Sequence, residues 1–188
     1  MKKSVLYKFY CLATFLGLLS FAAAGQVSVS SGYTAQQLAQ TLVGSGVIMM
    51  NAQMAGQCPI EGTGSGAGKF DFMGNPSDIG IDSGIVLTSG QVAGIASPAS
   101  FGVDASFVNG LIGDPDLNTI IAPNPSRDAC ILEFDFVPAG DTIKFDYVFA
   151  SEEYPEYACS NFNDVFAFLI SGPGLPTGLN NIARVPGT

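Results

Sequence analysis

The chain has 188 residues, 47% of them apolar and only 12% charged, with 23 glycines, 11 prolines, no tryptophan and no histidine. Three of its seven basic residues lie within the first eight positions, so the rest of the chain sets four basic residues against sixteen acids, a net charge of about −12. That balance excludes nucleic-acid recognition, which needs clustered Lys and Arg, and the missing histidine removes Ser-His-Asp and Cys-His catalysis together with the usual zinc ligand sets.

The first element is a leader. Lys2, Lys3 and Lys8 precede an apolar run from Cys11 to Phe21, and small residues Ala22 to Gly25 close it. Positive start, short apolar run and small exit are the marks of a secretory signal peptide, residues 1–25, cleaved near Gly25 or Gln26. The run is shorter than the ~20 apolar residues that span a bilayer, and no later segment reads as a membrane-spanning helix. The expected mature chain, 26–188, suits one domain in an extracellular compartment.

Thr34-Ala-Gln-Gln37 reads as a capping box, and Leu38, Leu42 and Val43 follow at helical spacing, predicting a helix over 35–43. Gly46 to Met50 is a strand candidate. Residues 55–68 are a glycine-rich loop; Lys69-Phe70 follows Gly68 where a phosphate-binding loop needs Lys-Ser or Lys-Thr, so that motif is not met. Lys69–Phe72 and Gly84–Thr88 are short strands with turn residues between them. Residues 90–113 give no clear assignment. Asp114-Pro115 predicts an N-cap with proline at the first helical position, opening a short turn through Ile121. As an EF-hand loop the segment lacks the glycine and glutamate required, having Thr119 and Pro125 there.

The strongest periodicity lies in 129–171. Leu132, Phe134 and Phe136 alternate with Glu133 and Asp135; after the turn Pro138–Asp141, Ile143, Phe145, Tyr147 and Phe149 alternate with Lys144 and Asp146. Period two across a short turn predicts an antiparallel hairpin, 130–137 with 142–150, its aromatic face in the core. Residues 163–170, apolar on both faces, predict a central third strand. Such a sheet needs a covering layer, and a second sheet supplies it. The expected fold is therefore mainly β, an antiparallel, jelly-roll-like β-sandwich with one or two short helices near the N-terminal half.

Several segments carry a family resemblance. Cys130–Pro138, the run Lys144-Phe-Asp-Tyr-Val-Phe-Ala-Ser-Glu-Glu-Tyr-Pro-Glu-Tyr157 and Phe162-Asn-Asp-Val-Phe-Ala-Phe168 with Ser171-Gly-Pro-Gly174 are similar to the choice-of-anchor L domain, and Gly80–Gly90, Asp114–Leu117 and Asn181–Gly187 match in the same order. The resemblance covers roughly 33–188. It implies a module of bacterial exported proteins, many from Bacteroidota and their type IX secretion route, retained at the cell surface by C-terminal anchoring or sorting regions, with surface attachment or adhesion as the inferred role. It also implies further strands and domains C-terminal to Thr188.

The loop 151–164 concentrates chemistry: three glutamates, an aspartate, two asparagines and two tyrosines, with no basic residue and no glycine. Glu152, Glu153, Asn163 and Asp164 are hard oxygen donors of the kind calcium takes; equally, Asn163 and Asp164 serve as loop caps and the acids face water. Tyr154, Tyr157 and Phe162 are the aromatic residues a carbohydrate site would use, or they pack onto the sheet edge. For a hydrolase, Glu152 and Glu153 are adjacent and point apart, and Glu133 and Asp135 share a solvated strand face. Cys58, Cys130 and Cys159 remain after cleavage, an odd number. Cys130 and Cys159 flank strands of one expected sheet and form the expected disulfide, leaving Cys58 for a partner outside the chain. Together these features predict a secreted or cell-surface, non-catalytic module that binds an extracellular ligand or surface glycan with calcium as a stabilising ion; the alternatives are a structural spacer in a larger surface protein and a carboxylate-dependent hydrolase.

Overall fold

Thr34 opens the first helix as the sequence anticipates. Its Oγ1 accepts from the Gln37 amide at 3.2 Å, and Gln37 Oε1 accepts from the Thr34 amide at 2.9 Å, so side chain and backbone satisfy each other across the first turn. Helix α1 then spans Ala35–Leu42 and buries Leu38 and Ala39 completely. The computed structural model describes residues 27–44, 46–56, 58, 65–95, 108–151, 153 and 157–183; the segment 1–25 expected as a leader, Glu152 and Tyr154 lie outside the described residues.

Around α1 the described residues are mainly β, and all pairings are antiparallel. In chain order the strands are β1 (Ser28–Ser30), β2 (Val47–Gly56), β3 (Ala67–Asp71), β4 (Ser83–Leu87), β5 (Cys130–Pro138), β6 (Leu169–Ile170) and β7 (Asn180–Asn181). Two further short helices, α2 (Val92–Ile95) and α3 (Pro115–Ile120), lie between β4 and β5. One sheet has the order β1-β3-β4, a second pairs β2 with β5, and a third pairs β6 with β7. Gly68 in β3 is forced by the close approach of β1, since a Cβ there would run into the Ser30 carbonyl.

The core sits where the first two sheets meet. Leu38 of α1 packs with Cys58 and Ala67; Ile85 and Leu87 close it from one sheet, and Met54, Cys130 and Leu132 from the other. Both sheets therefore turn apolar side chains toward a single helix, which removes those surfaces from water together. The β2–β5 register runs Val47↔Pro138 to Met50↔Asp135, shifts, and resumes from Gln53↔Glu133 to Gly56↔Cys130. Asn51 sits in the shift with φ +54, a left-handed conformation that asparagine tolerates, and the extra residue bulges the strand.

That register decides the cysteines. Gly56 faces Cys130, which puts Cys58 at the end of the same ladder, and the structure bonds Cys58 to Cys130 with the Cα atoms 4.2 Å apart. Cys159 is exposed and free. The expected Cys130–Cys159 bridge is thus corrected. The pairing of β5 with β2, which carries the chain to within two residues of Cys58, makes Cys58 the near neighbour.

The expected hairpin is corrected as well. β5 pairs with β2, and 142–150 forms no assigned strand. Alternation within β5 holds, with Leu132, Phe134 and Phe136 half-buried and Glu133 and Asp135 exposed. In the next run Phe145 is half-buried but Tyr147 and Phe149 are 40% and 51% exposed, so they are not core. Their rings lie instead along 166–168: Phe145 stacks on Phe168, and Tyr147 and Phe149 meet Phe166. These contacts run in antiparallel order. On the far side of 166–168, the Ile182 amide donates to the Phe168 carbonyl and β6 pairs with β7. The segment expected as a central strand is thus flanked on both sides, although only Leu169–Ile170 forms a ladder.

Candidate functional site

The loop between the two aromatic runs starts at Ser151. The Ser151 hydroxyl accepts from the Glu153 amide at 3.2 Å, and its Oγ stands 2.8 Å from Asp164 Oδ2 and 3.3 Å from Glu153 Oε2. A serine has one hydroxyl hydrogen, so it satisfies one of these carboxylates at a time. Two acids separated by eleven positions are therefore drawn to one oxygen because the aromatic runs hold both ends of the loop side by side. Asn163 is exposed next to Asp164. Of the four oxygen-donor residues singled out in the sequence, Glu153 and Asp164 are brought together. Among the described residues, no group of three or more His, Cys, Asp or Glu side chains is placed to hold a metal ion.

The far end of the loop is a turn. The Tyr157 amide donates to the Glu153 carbonyl at 2.8 Å and the Ser160 amide to the Tyr157 carbonyl at 3.0 Å; Ser160 Oγ then accepts from the Phe162 amide at 3.0 Å. This brings Tyr157 and Phe162 together edge to face, centroids 5.6 Å apart at 79°. Both are exposed, Phe162 at 64%. An aromatic pair of this geometry is favourable in itself and leaves ring surface open to solvent. Behind the aromatic runs, Ile79, Gly80 and Ile81 face Phe145 to Val148 across an open hollow of about 340 Å³.

The other acids singled out have partners of a different kind. Asp135 Oδ2 accepts from Asn51 Nδ2 at 2.7 Å and Glu133 Oε2 from Gln53 Nε2 at 2.9 Å, across the exposed face of β2 and β5. Asp114 caps α3, its Oδ1 accepting from the Asp116 and Leu117 amides, which is the helix-cap role rather than a calcium loop. Sequence reasoning missed Ser151, whose only signal was its place at the mouth of an acidic loop.

An antiparallel β unit with a few short helices is built on a disulfide-closed core and holds an acidic and aromatic loop between two strand-like runs. The chain belongs to the Choice-of-anchor L domain family, whose model matches residues 26–188. No curated protein and no solved structure matches it. Family membership makes it a surface-associated module. Among the described residues, no helix is long and apolar enough to cross a membrane.

Proposed function

We propose that the chain is a non-catalytic adhesion module of a secreted, surface-retained protein, and that it binds an extracellular ligand, a surface glycan, through the loop 151–164. The observation that carries this reading is the convergence of Glu153 and Asp164 on the Ser151 hydroxyl beside the exposed Tyr157–Phe162 pair. In this reading calcium is the cation that the shared hydroxyl cannot replace. Glu153 and Asp164 supply carboxylate oxygens, Asn163 an amide oxygen and Glu152 a further carboxylate, which is the hard-oxygen set calcium takes. Bound calcium orders the loop, and Tyr154, Tyr157 and Phe162 offer ring faces to a sugar.

The non-catalytic part of the proposal draws on side-chain chemistry. The chain has no histidine, and Glu133 and Asp135 are held by neutral amides on an open strand face rather than across a cleft from each other, as glycoside cleavage needs. The β-sandwich belongs to the same reading: the sheets β1-β3-β4 and β2-β5 share one core around Leu38, as two packed layers do. Export by the leader 1–25 agrees with the Cys58–Cys130 bond, which persists in oxidising compartments. The test is a glycan array probed with the chain in calcium and in chelator. Calcium-dependent binding to a restricted set of glycans, lost in Phe162→Ala, is the expected result. Absence of binding in both conditions would leave a structural spacer as the function.

A further inference from the structure

The sheet β1-β3-β4 changes character along one face. In an antiparallel ladder directly opposed residues share a face, so Ala67 with Leu87, and Lys69 with Ser30 and Ile85, lie on the same side as Asp71 with Ser28 and Ser83. The Ala67 end is core beneath Leu38. The other end is polar, a row of three serines around one lysine and one aspartate, and Thr41 of α1 and Tyr33 wall it in. The hollow between them has a volume of about 250 Å³, just below the range of drug-sized pockets at about 300–1,000 Å³, and so of a size for one sugar ring.

Lys69 is the distinctive group. It is one of four basic residues beyond the leader, and its Nζ stands over the Tyr33 ring, 4.5 Å from the centroid. Cation–π attraction fixes the ammonium there, and the Ser30 Oγ–Tyr33 OH hydrogen bond of 2.9 Å fixes the ring. Among the described residues no carboxylate pairs with Lys69. Asp71, two positions along the same strand face, turns one oxygen to the Met73 amide. Among the described residues the hollow thus has a lysine ammonium with no ion-pair partner at one end, a carboxylate acceptor at the other and small hydroxyls between.

A simple anion such as sulfate satisfies only the lysine end, and Asp71 repels it. A neutral sugar satisfies only the hydroxyls and Asp71. A sugar acid satisfies both ends: its carboxylate pairs with the ammonium, and its hydroxyls donate to Asp71 and exchange hydrogen bonds with the serines. We propose that this hollow is a binding subsite for an acidic monosaccharide unit, a uronic acid, separate from the loop 151–164 and independent of calcium.

The experiment is a titration of the isotope-labelled chain, followed through its amide resonances in chelator, with glucuronate, glucose and sulfate as the three probes. Glucuronate should shift the amides of Ser30, Tyr33, Lys69 and Asp71 saturably. Glucose and sulfate should bind at least about tenfold more weakly, because each loses one end of the contact. Lys69→Gln should weaken glucuronate by about tenfold and Lys69→Arg should keep most of the affinity, with melting curves of both variants superimposing on wild type. Equal response to glucuronate and sulfate, equal response to glucuronate and glucose, an unaffected Lys69→Gln variant, or no saturable shift with any probe would each overturn the proposal.

Discussion

Phe145 lies almost flat on Phe168, with ring centroids 4.0 Å apart and 19° between the planes. This stack, with Tyr147 on Phe166 beside it, is what aligns the two runs that carry the loop 151–164. Phe145 is half-buried, so Phe145→Ala should cost about 1–2 kcal/mol, less than the ~3–5 kcal/mol of a fully buried phenylalanine. A double-mutant cycle with Phe168→Ala in urea unfolding should give a coupling of about 0.5–1.5 kcal/mol. Strict additivity would mean that the rings do not support each other.

The Cys58–Cys130 bond closes a loop of 72 residues. Loop-closure entropy for a ring of that size gives about 4 kcal/mol, so reduction, or paired replacement by alanine, should lower the melting temperature by roughly 8–16 °C. Mass spectrometry of a non-reduced digest should find the 58–130 crosslink, and Cys159 should alkylate without reductant. A crosslink between Cys130 and Cys159 would contradict the β2–β5 register.

Asp114 holds the start of α3 through the amides of Asp116 and Leu117, at 2.9 and 3.0 Å. Asp114→Ala should therefore destabilise the chain by about 1 kcal/mol, and Asp114→Asn by much less, since both cap residues accept the same bonds. Chemical denaturation at constant calcium separates the two. Equal losses in both variants would point to a role for the charge itself.

Local chemistry was legible in the sequence where the determinant was local. The Thr34–Gln37 box, the Asp114 cap and the alternation of Cys130–Phe136 each depend on residues within a few positions, and each forms as the pattern requires. Partner choice was not legible. Period two states which face of β5 is apolar but not whether its neighbour is the next run or β2, about eighty residues earlier; the Asn51–Asp135 and Gln53–Glu133 bonds that help fix the answer are long-range. The cysteine pairing depends on the same partner choice: a β5 paired with 142–150 would leave Cys58 distant, whereas the β2–β5 ladder ends beside it. At the candidate site the acids were visible as composition, whereas the convergence of Glu153 and Asp164 on Ser151 depends on the aromatic stack that brings the loop's ends together. The polar hollow beside Tyr33 was invisible for a similar reason: its serines come from β1 and β4, and its lysine and aspartate from β3 between them.

Thermal unfolding of the chain with and without calcium tests the central claim, that the loop 151–164 is an ion-ordered binding site. An extracellular site of this kind has a dissociation constant of about 0.1–1 mM. Calcium at about one hundred times the dissociation constant stabilises the folded state by about 2.7 kcal/mol, a rise in melting temperature of about 5–10 °C for a domain of this size. Magnesium should do less, since it demands a smaller and stricter octahedral cage. Asp164→Ala should abolish the calcium response while leaving the Cys58–Cys130 crosslink in place, and Ser151→Ala should reduce it. A wild-type melting temperature that is the same in calcium and in chelator would contradict the account.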